Sequence, residues 1–233
     1  MACYDTITKT LLVTDTVISI PSNPPEIVAL NDKRALLYHS RDEPTDVVVD
    51  TPEARRVGWQ KIALFACYFQ SSPLLVPVEP DGSLGTTRRF IEEAFYKDMP
   101  PSMRELGWNG FFAWRWNRPG KPSWPASFAA LQNECKPVVP PILQEVVLSR
   151  EPDNVLAFAQ EVANAFPFTS ILPAHFEYMP AATPKQWLDA FRPFGPTGTN
   201  YPGALPDGDL AFLRKFEETL MAQGTIRPRP KRG

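Results

Sequence analysis

An acid and an imidazole stand at the ends of two apolar runs. Leu11-Leu12-Val13-Thr14-Asp15 places a carboxylate at the mouth of one expected strand, and Ser170-Ile171-Leu172-Pro173-Ala174-His175 places a histidine at the mouth of another. Loops at strand ends are where α/β proteins gather functional groups. Asp and neutral His are both good ligands for a divalent metal such as Zn²⁺. Simpler roles stand beside that reading: Asp15 as a turn cap, and His175 as a hydrogen-bond partner of the backbone. A catalytic zinc needs three protein ligands. The chain holds 2 histidines, His39 and His175, and 3 cysteines, Cys3, Cys67 and Cys135, with no CxxC pair. It is therefore too poor in these residues to complete a catalytic metal centre alone.

Other chemistries lack their signatures. There is no HxH or HExxH for zinc, no GxGxxG or GxxxxGK[ST] for a nucleotide cofactor, and no GxSxG for a serine hydrolase. His39, within Tyr-His-Ser-Arg-Asp, brings no partner at metal spacing and reads as structural. Arg41 and Asp42, as charged neighbours in sequence, read as solvated. Trp114-Arg115-Trp116 could stack on bases or sugars, but tryptophans are more often packing residues. Cys67 sits in an apolar helical stretch and reads as a core thiol. Lys and Arg number 24 against 26 Asp and Glu, which gives no basic stripe for nucleic acid. The one dense basic cluster, Arg227 to Arg232, reads as a solvated tail. The longest apolar run, Ile62 to Phe69, is far short of the ~20 residues that span a bilayer. No membrane or nucleic-acid partner is expected, and no targeting signal opens the chain.

The elements that must position Asp15 and His175 can be read in outline. Thr10 to Ile20 is rich in β-branched residues and predicts a strand. Phe168 to Pro173 predicts a second, buried one. Asp50-Thr51-Pro52-Glu53 starts a helix that runs to about Phe69, with Gly58 as a weak point inside it. Further helices are expected over Thr86–Asp98, Trp124–Asn133, Glu151–Ala165, Thr183–Phe191 and Asp207–Ala222, the last stopped by Gly224. Arg34–His39 is a short element of unclear type, and Lys136–Arg150 is ambiguous. The 27 prolines, spread along 233 residues, argue for short elements joined by stiff loops.

Several segments in order carry a resemblance. They are Thr10-Leu-Leu-Val-Thr-Asp15, Leu36-Leu-Tyr-His-Ser-Arg-Asp42, Asp50 to Trp59, Pro141-Ile-Leu-Gln144, Arg150-Glu-Pro152 and Pro167 to Phe176. Over about residues 5 to 194 the chain resembles a domain-of-unknown-function family of photosynthetic organisms, itself similar to the C-terminal half of a metallo-β-lactamase-like fold. The resemblance implies an α/β (α+β) architecture, half or remnant of an αβ/βα sandwich, with a C-terminal helix. It implies a division into residues 1–194, the metallo-β-lactamase-like half, and 195–233, a linker, helix and basic tail. It implies descent from a metal-dependent hydrolase, with Asp15 at the position of a metal-bridging aspartate and His175 at that of a last histidine. The cofactor would be Zn²⁺ or another divalent metal in an incomplete site, because the HxHxDH segment of the other half is missing. The partners implied are that missing half or a second copy of the chain. The place implied is a soluble, intracellular one, cytoplasm or plastid stroma. The competing function is a non-catalytic binding or assembly module. If the ligand reading holds, Asp15 and His175 meet at one end of one sheet.

Overall fold

Asp5 bends the chain at its first turn. Its carboxylate accepts hydrogen bonds from the Ile7 amide at 3.0 Å and the Thr8 hydroxyl at 2.6 Å, and Lys9 takes a left-handed φ of 54°. The resulting hairpin joins β1 (Ala2–Asp5) to β2 (Thr10–Val13). The computed structural model describes residues 2–31, 33–41, 47–68, 124–196, 201 and 203–230. Its helices are α1 (Glu26–Asn31), α2 (Arg34–Ser40), α3 (Pro52–Tyr68), α4 (Trp124–Gln132), α5 (Pro152–Ala165), α6 (Pro184–Ala190) and α7 (Asp207–Ala222). A third strand, β3 (Ser170–Pro173), completes a sheet of order β1-β2-β3. The architecture is mixed α and β with a small sheet. The helix expected over Thr86–Asp98 and the Trp114-Arg115-Trp116 segment lie outside the described residues. Among the described residues no helix is long and apolar enough to cross a membrane.

Two compact units make up the chain. The first comprises Met1–Pro21, Cys67–Phe69 and Ala129–Gly233, and the second Ser22–Ala66 and Gln70–Phe128. In the first, β2 pairs antiparallel with β1 and parallel with β3, running Thr10↔Ser170 to Val13↔Pro173. Leu11, Val13 and Ile171 turn into the core, where Phe168 and Trp187 meet them. The Trp187 indole is wholly buried, and its N–H donates to the Ala159 carbonyl at 2.9 Å, which ties α6 to α5. Burying such a side chain contributes about 1.5–3 kcal/mol, and the indole hydrogen bond keeps its polar atom satisfied. α6 starts at a complete capping box, with the Thr183 hydroxyl accepting from the Gln186 amide and the Gln186 side chain accepting from the Thr183 amide.

The strand expected over Thr10–Ile20 ends at Val13. Thr14 to Thr16 turn away, and Ile18 instead makes a single antiparallel bridge to Val138. β1 was not expected, since four residues of mixed character carry no period. The ambiguous stretch Lys136–Arg150 resolves into that bridge, a π-turn over Leu143–Val147 and a 3₁₀ turn over Leu148–Arg150.

Arg229, in the part of the basic tail that is described, is not solvated as expected. Arg229 donates to Glu217 on α7 at 2.7 and 2.6 Å and to the Glu145 carboxylate at 2.7 Å. Arg150 pairs with Glu217 at 2.5 Å and Arg214 with Glu145 at 3.3 Å, while both carboxylate side chains are about 95% buried. Burial alone would raise the Glu217 carboxyl; the hydrogen bonds and charges of Arg229 and Arg150 outweigh it and hold the group below its ordinary 4.5.

In the second unit α2 and α3 meet backbone to backbone. A Cβ on Gly58 would fall inside van der Waals contact of the Leu36 carbonyl oxygen and 2.6 Å from its carbon. Gly58 is therefore the point of helix contact, and its cost to helix propensity is offset by that approach. Buried Lys61 donates to the Arg41 carbonyl at 2.7 Å and the Ser40 carbonyl at 3.3 Å, satisfying the end of α2. Burial, then the charges of Arg41 and Lys61, lower His39 to about 4, so this imidazole is neutral at neutral pH.

Two outcomes follow. Gly58→Ala lowers unfolding free energy by about 2 kcal/mol or more in urea titration, because backbone cannot yield as a side chain can. Arg229→Ala lowers it by about 2 kcal/mol at pH 7, the part-exposed arginine leaving two buried carboxylates short of a partner. A depressed carboxyl stabilises above its unfolded pKa and loses that contribution as pH falls through the folded one. The gap between wild type and Arg229→Ala therefore narrows as pH falls below 4.5, the ordinary carboxyl value. A gap that stays constant to the acid transition would show that Arg229 does not act through Glu217.

Candidate functional site at the ends of β2 and β3

Parallel pairing carries the site. Paired Cα positions from Thr10↔Ser170 to Val13↔Pro173 run in constant step, and the same step continues two residues further to Asp15 and His175. At the entrance of the pair the Thr10 and Ser170 hydroxyls bond each other at 2.9 Å in a buried setting. At its exit His175 Nδ1 lies 2.5 Å from Asp15 Oδ1. The two side chains are exposed, 67% for His175 and 59% for Asp15. The sequence expectation that they meet at one end of one sheet is met.

Each residue sits in a loop pinned at its far side. Past Asp15, Val17 is buried and Ile18 bridges Val138. Past His175, the chain folds back so that Met179 bridges Ile171, and the Glu177 amide donates to the Ser19 carbonyl at 3.1 Å. That last bond joins the two loops directly. The fold-back turns on Phe176, which has a φ of 67°. A left-handed aromatic residue is an outlier, and such residues cost roughly 1–3 kcal/mol and gather at functional sites. Phe176 has no sequence signal, because nothing but the return of the chain requires that angle.

A carboxylate only accepts, so the contact places the imidazole proton on Nδ1 and leaves the lone pair of the neutral ring on Nε2. That atom can ligate a cation or accept a proton. Among the described residues no group of three His, Cys, Asp or Glu gathers as a metal site. His39 belongs to the other unit. Cys67 is a core residue as expected, its thiol pushed up to about 12 by burial, and so no nucleophile at neutral pH.

A family model for a domain of unknown function, DUF4336, matches residues 1–193. The chain belongs to the DUF4336 family. The match takes in both strand ends, and so the Asp15–His175 contact lies within the DUF4336 domain. No curated protein and no solved structure matches this DUF4336 chain.

The contact should be visible in solution. In ¹⁵N spectra of the wild type the His175 ring shows one dominant tautomer, protonated on Nδ1. Asp15→Ala releases it to a mixture weighted to Nε2–H, and stability changes by no more than about 0.5 kcal/mol because both groups are exposed. An unchanged ring spectrum in Asp15→Ala would refute the contact.

Proposed function

We propose that Asp15 and His175 form a divalent-cation site, and that the chain derives from a metal-dependent hydrolase of metallo-β-lactamase-like type to whose centre it brings two ligands. The observation that carries the reading is the approach of these two groups at register-matched strand ends, 2.5 Å apart. The donor set suits Zn²⁺ or a similar ion: one carboxylate oxygen and one neutral imidazole. Ligands of a tetrahedral zinc stand about 3.3 Å apart for bonds of ~2.05 Å, so once Nδ1 gives up its proton to solvent the two exposed side chains need open by less than ~1 Å for Nδ1 and Oδ1 to receive one. A cation held there would lower the pKa of bound water and polarise a scissile group. Asp15 holds the imidazole ring in one orientation, and the pinned loops keep both groups at the sheet end. Two ligands are fewer than the three of a catalytic zinc. Further ligands would come from elsewhere in the chain or from a second chain, the missing half of the resemblance or another copy.

The other reading, a non-catalytic assembly module, is favoured by one observation. Leu12 and Leu172 are direct partners across β2 and β3, and they are 38% and 44% exposed on the sheet face away from the core. Self-association through that face would cover them.

Titration of the whole chain with Zn²⁺, followed by NMR and calorimetry, separates the readings. The metal reading expects shifts centred on His175 and Asp15, weak affinity, and a loss of about tenfold or more in Asp15→Asn and His175→Gln. Equal Zn²⁺ affinity in the double variant would defeat it. A metal-independent dimer in sedimentation, lost in Leu12→Asp, would support the assembly module.

A further inference from the structure

A cavity of about 170 Å³ opens in the first unit, away from Asp15 and His175 in its lining. Its apolar floor includes Val138, Ala190 and Leu205, and its polar wall includes Gln144, Asn133, Lys136, Asp189, Arg192 and Tyr201. Three features distinguish it from a packing defect.

The first is Gln144. The residue is 6% exposed, and its amide nitrogen donates to the Val139 carbonyl at 2.7 Å. That bond fixes the amide and leaves its oxygen, which no donor among the described residues meets. Gln144 lines the cavity, so that oxygen is open to a donor bound there.

The second is the wall. Asn133, Glu134 and Cys135 follow one another with φ of 49°, 54° and 60°. Three successive left-handed L-residues cost roughly 1–3 kcal/mol each. They carry the chain from α4 into the cavity wall at Asn133 and Lys136. Gly203, also lining it, has a φ of 85°, and a Cβ there would stand 3.7 Å from the Asn133 side-chain oxygen.

The third is charge. The lining holds two cations, Lys136 and Arg192, and one anion, Asp189. Asp189 is already joined to Lys185 at 2.8 Å. Lys136 reaches Glu134 at 2.5 Å, an exposed pair that is readily exchanged. Arg192 lies over the Tyr201 ring, 5.0 Å from its centroid, which orients the guanidinium plane and leaves its edge for an oxyanion.

We propose that this cavity binds a small carboxylic acid that also carries a hydroxyl or ammonium donor. Arg192 and Lys136 receive the carboxylate. Gln144 Oε1 receives the donor. The apolar floor takes the short carbon chain between them. The size agrees, since a cavity of ~150 Å³ holds a benzene ring. This site is independent of the Asp15–His175 reading and survives its failure.

The test uses the full ¹⁵N-labelled chain with L-malate, L-glutamate, propionate and inorganic phosphate at millimolar concentration. Malate or glutamate is expected to shift the Gln144 side-chain amide and the Tyr201 backbone. Propionate, which lacks the donor, binds about tenfold more weakly, the cost of one hydrogen bond. Gln144→Leu brings malate down to the level of propionate, and Arg192→Gln removes both. Arg192 is exposed, so that variant folds even if Gln144→Leu does not. Resonances that none of the four probes moves, or equal shifts by propionate and malate, would overturn the proposal. So would binding by phosphate alone, which would mark only a cationic rim.

Discussion

Parallel pairing of β2 with β3 is the interaction on which the rest of the first unit depends. Each strand is only four residues long. Each alternates its side chains so that Leu11, Val13 and Ile171 enter the core while Leu12 and Leu172 stay outside. A slip of one residue would invert that arrangement, so the core holds the register firmly. The same register decides what stands opposite what beyond the strands. Had β3 paired one position earlier or later, Asp15 and His175 would not meet, whatever their chemistry.

Around that pair, charge does what a larger sheet would do elsewhere. Glu145 in the π-turn and Glu217 on α7 are buried and shared among Arg150, Arg214 and Arg229. Arginine suits this task because its planar fork can serve two carboxylates at once. The network joins three parts of the chain that hold no strand: the turns over Leu143–Arg150, α7 and the tail. Its desolvation cost makes it a weak source of net stability, yet loss of any one partner leaves a buried charge short of a counterion. It thus constrains arrangement more than it adds stability.

Local chemistry made part of this legible from the residues. Thr51-Pro52, Glu151-Pro152 and Thr183-Pro184 announce helix starts because capping and proline at the first turn are contained in two or three residues. Gly224, with a φ of 70°, ends α7 for the same local reason. The apolar runs before Asp15 and His175 show as strands because β-branched residues cluster there. What escaped depends on partners far along the chain. β1 is a strand only because β2 lies beside it. Gly58 reads as a helix defect until Leu36 is placed against it. Arg229 reads as solvated until two buried carboxylates appear, and Gln144 shows no sign that one end of its amide lacks a partner. The candidate pair itself was found by the strand ends, but its contact rests on register, which no local pattern states.

The Asp15–His175 contact joins residues 160 apart in sequence. Closing a loop of that length costs about 4.5 kcal/mol by the logarithmic term alone. α5 and α6, tied by Trp187 over 28 residues, face a smaller closure cost and can form first. On loop-closure cost alone, the site belongs among the later contacts to form. Its histidine is a natural clock for that event: an imidazole proton confined to Nδ1 reports a finished molecule, and a chain that stalls before closure has helices, a partial core and no site.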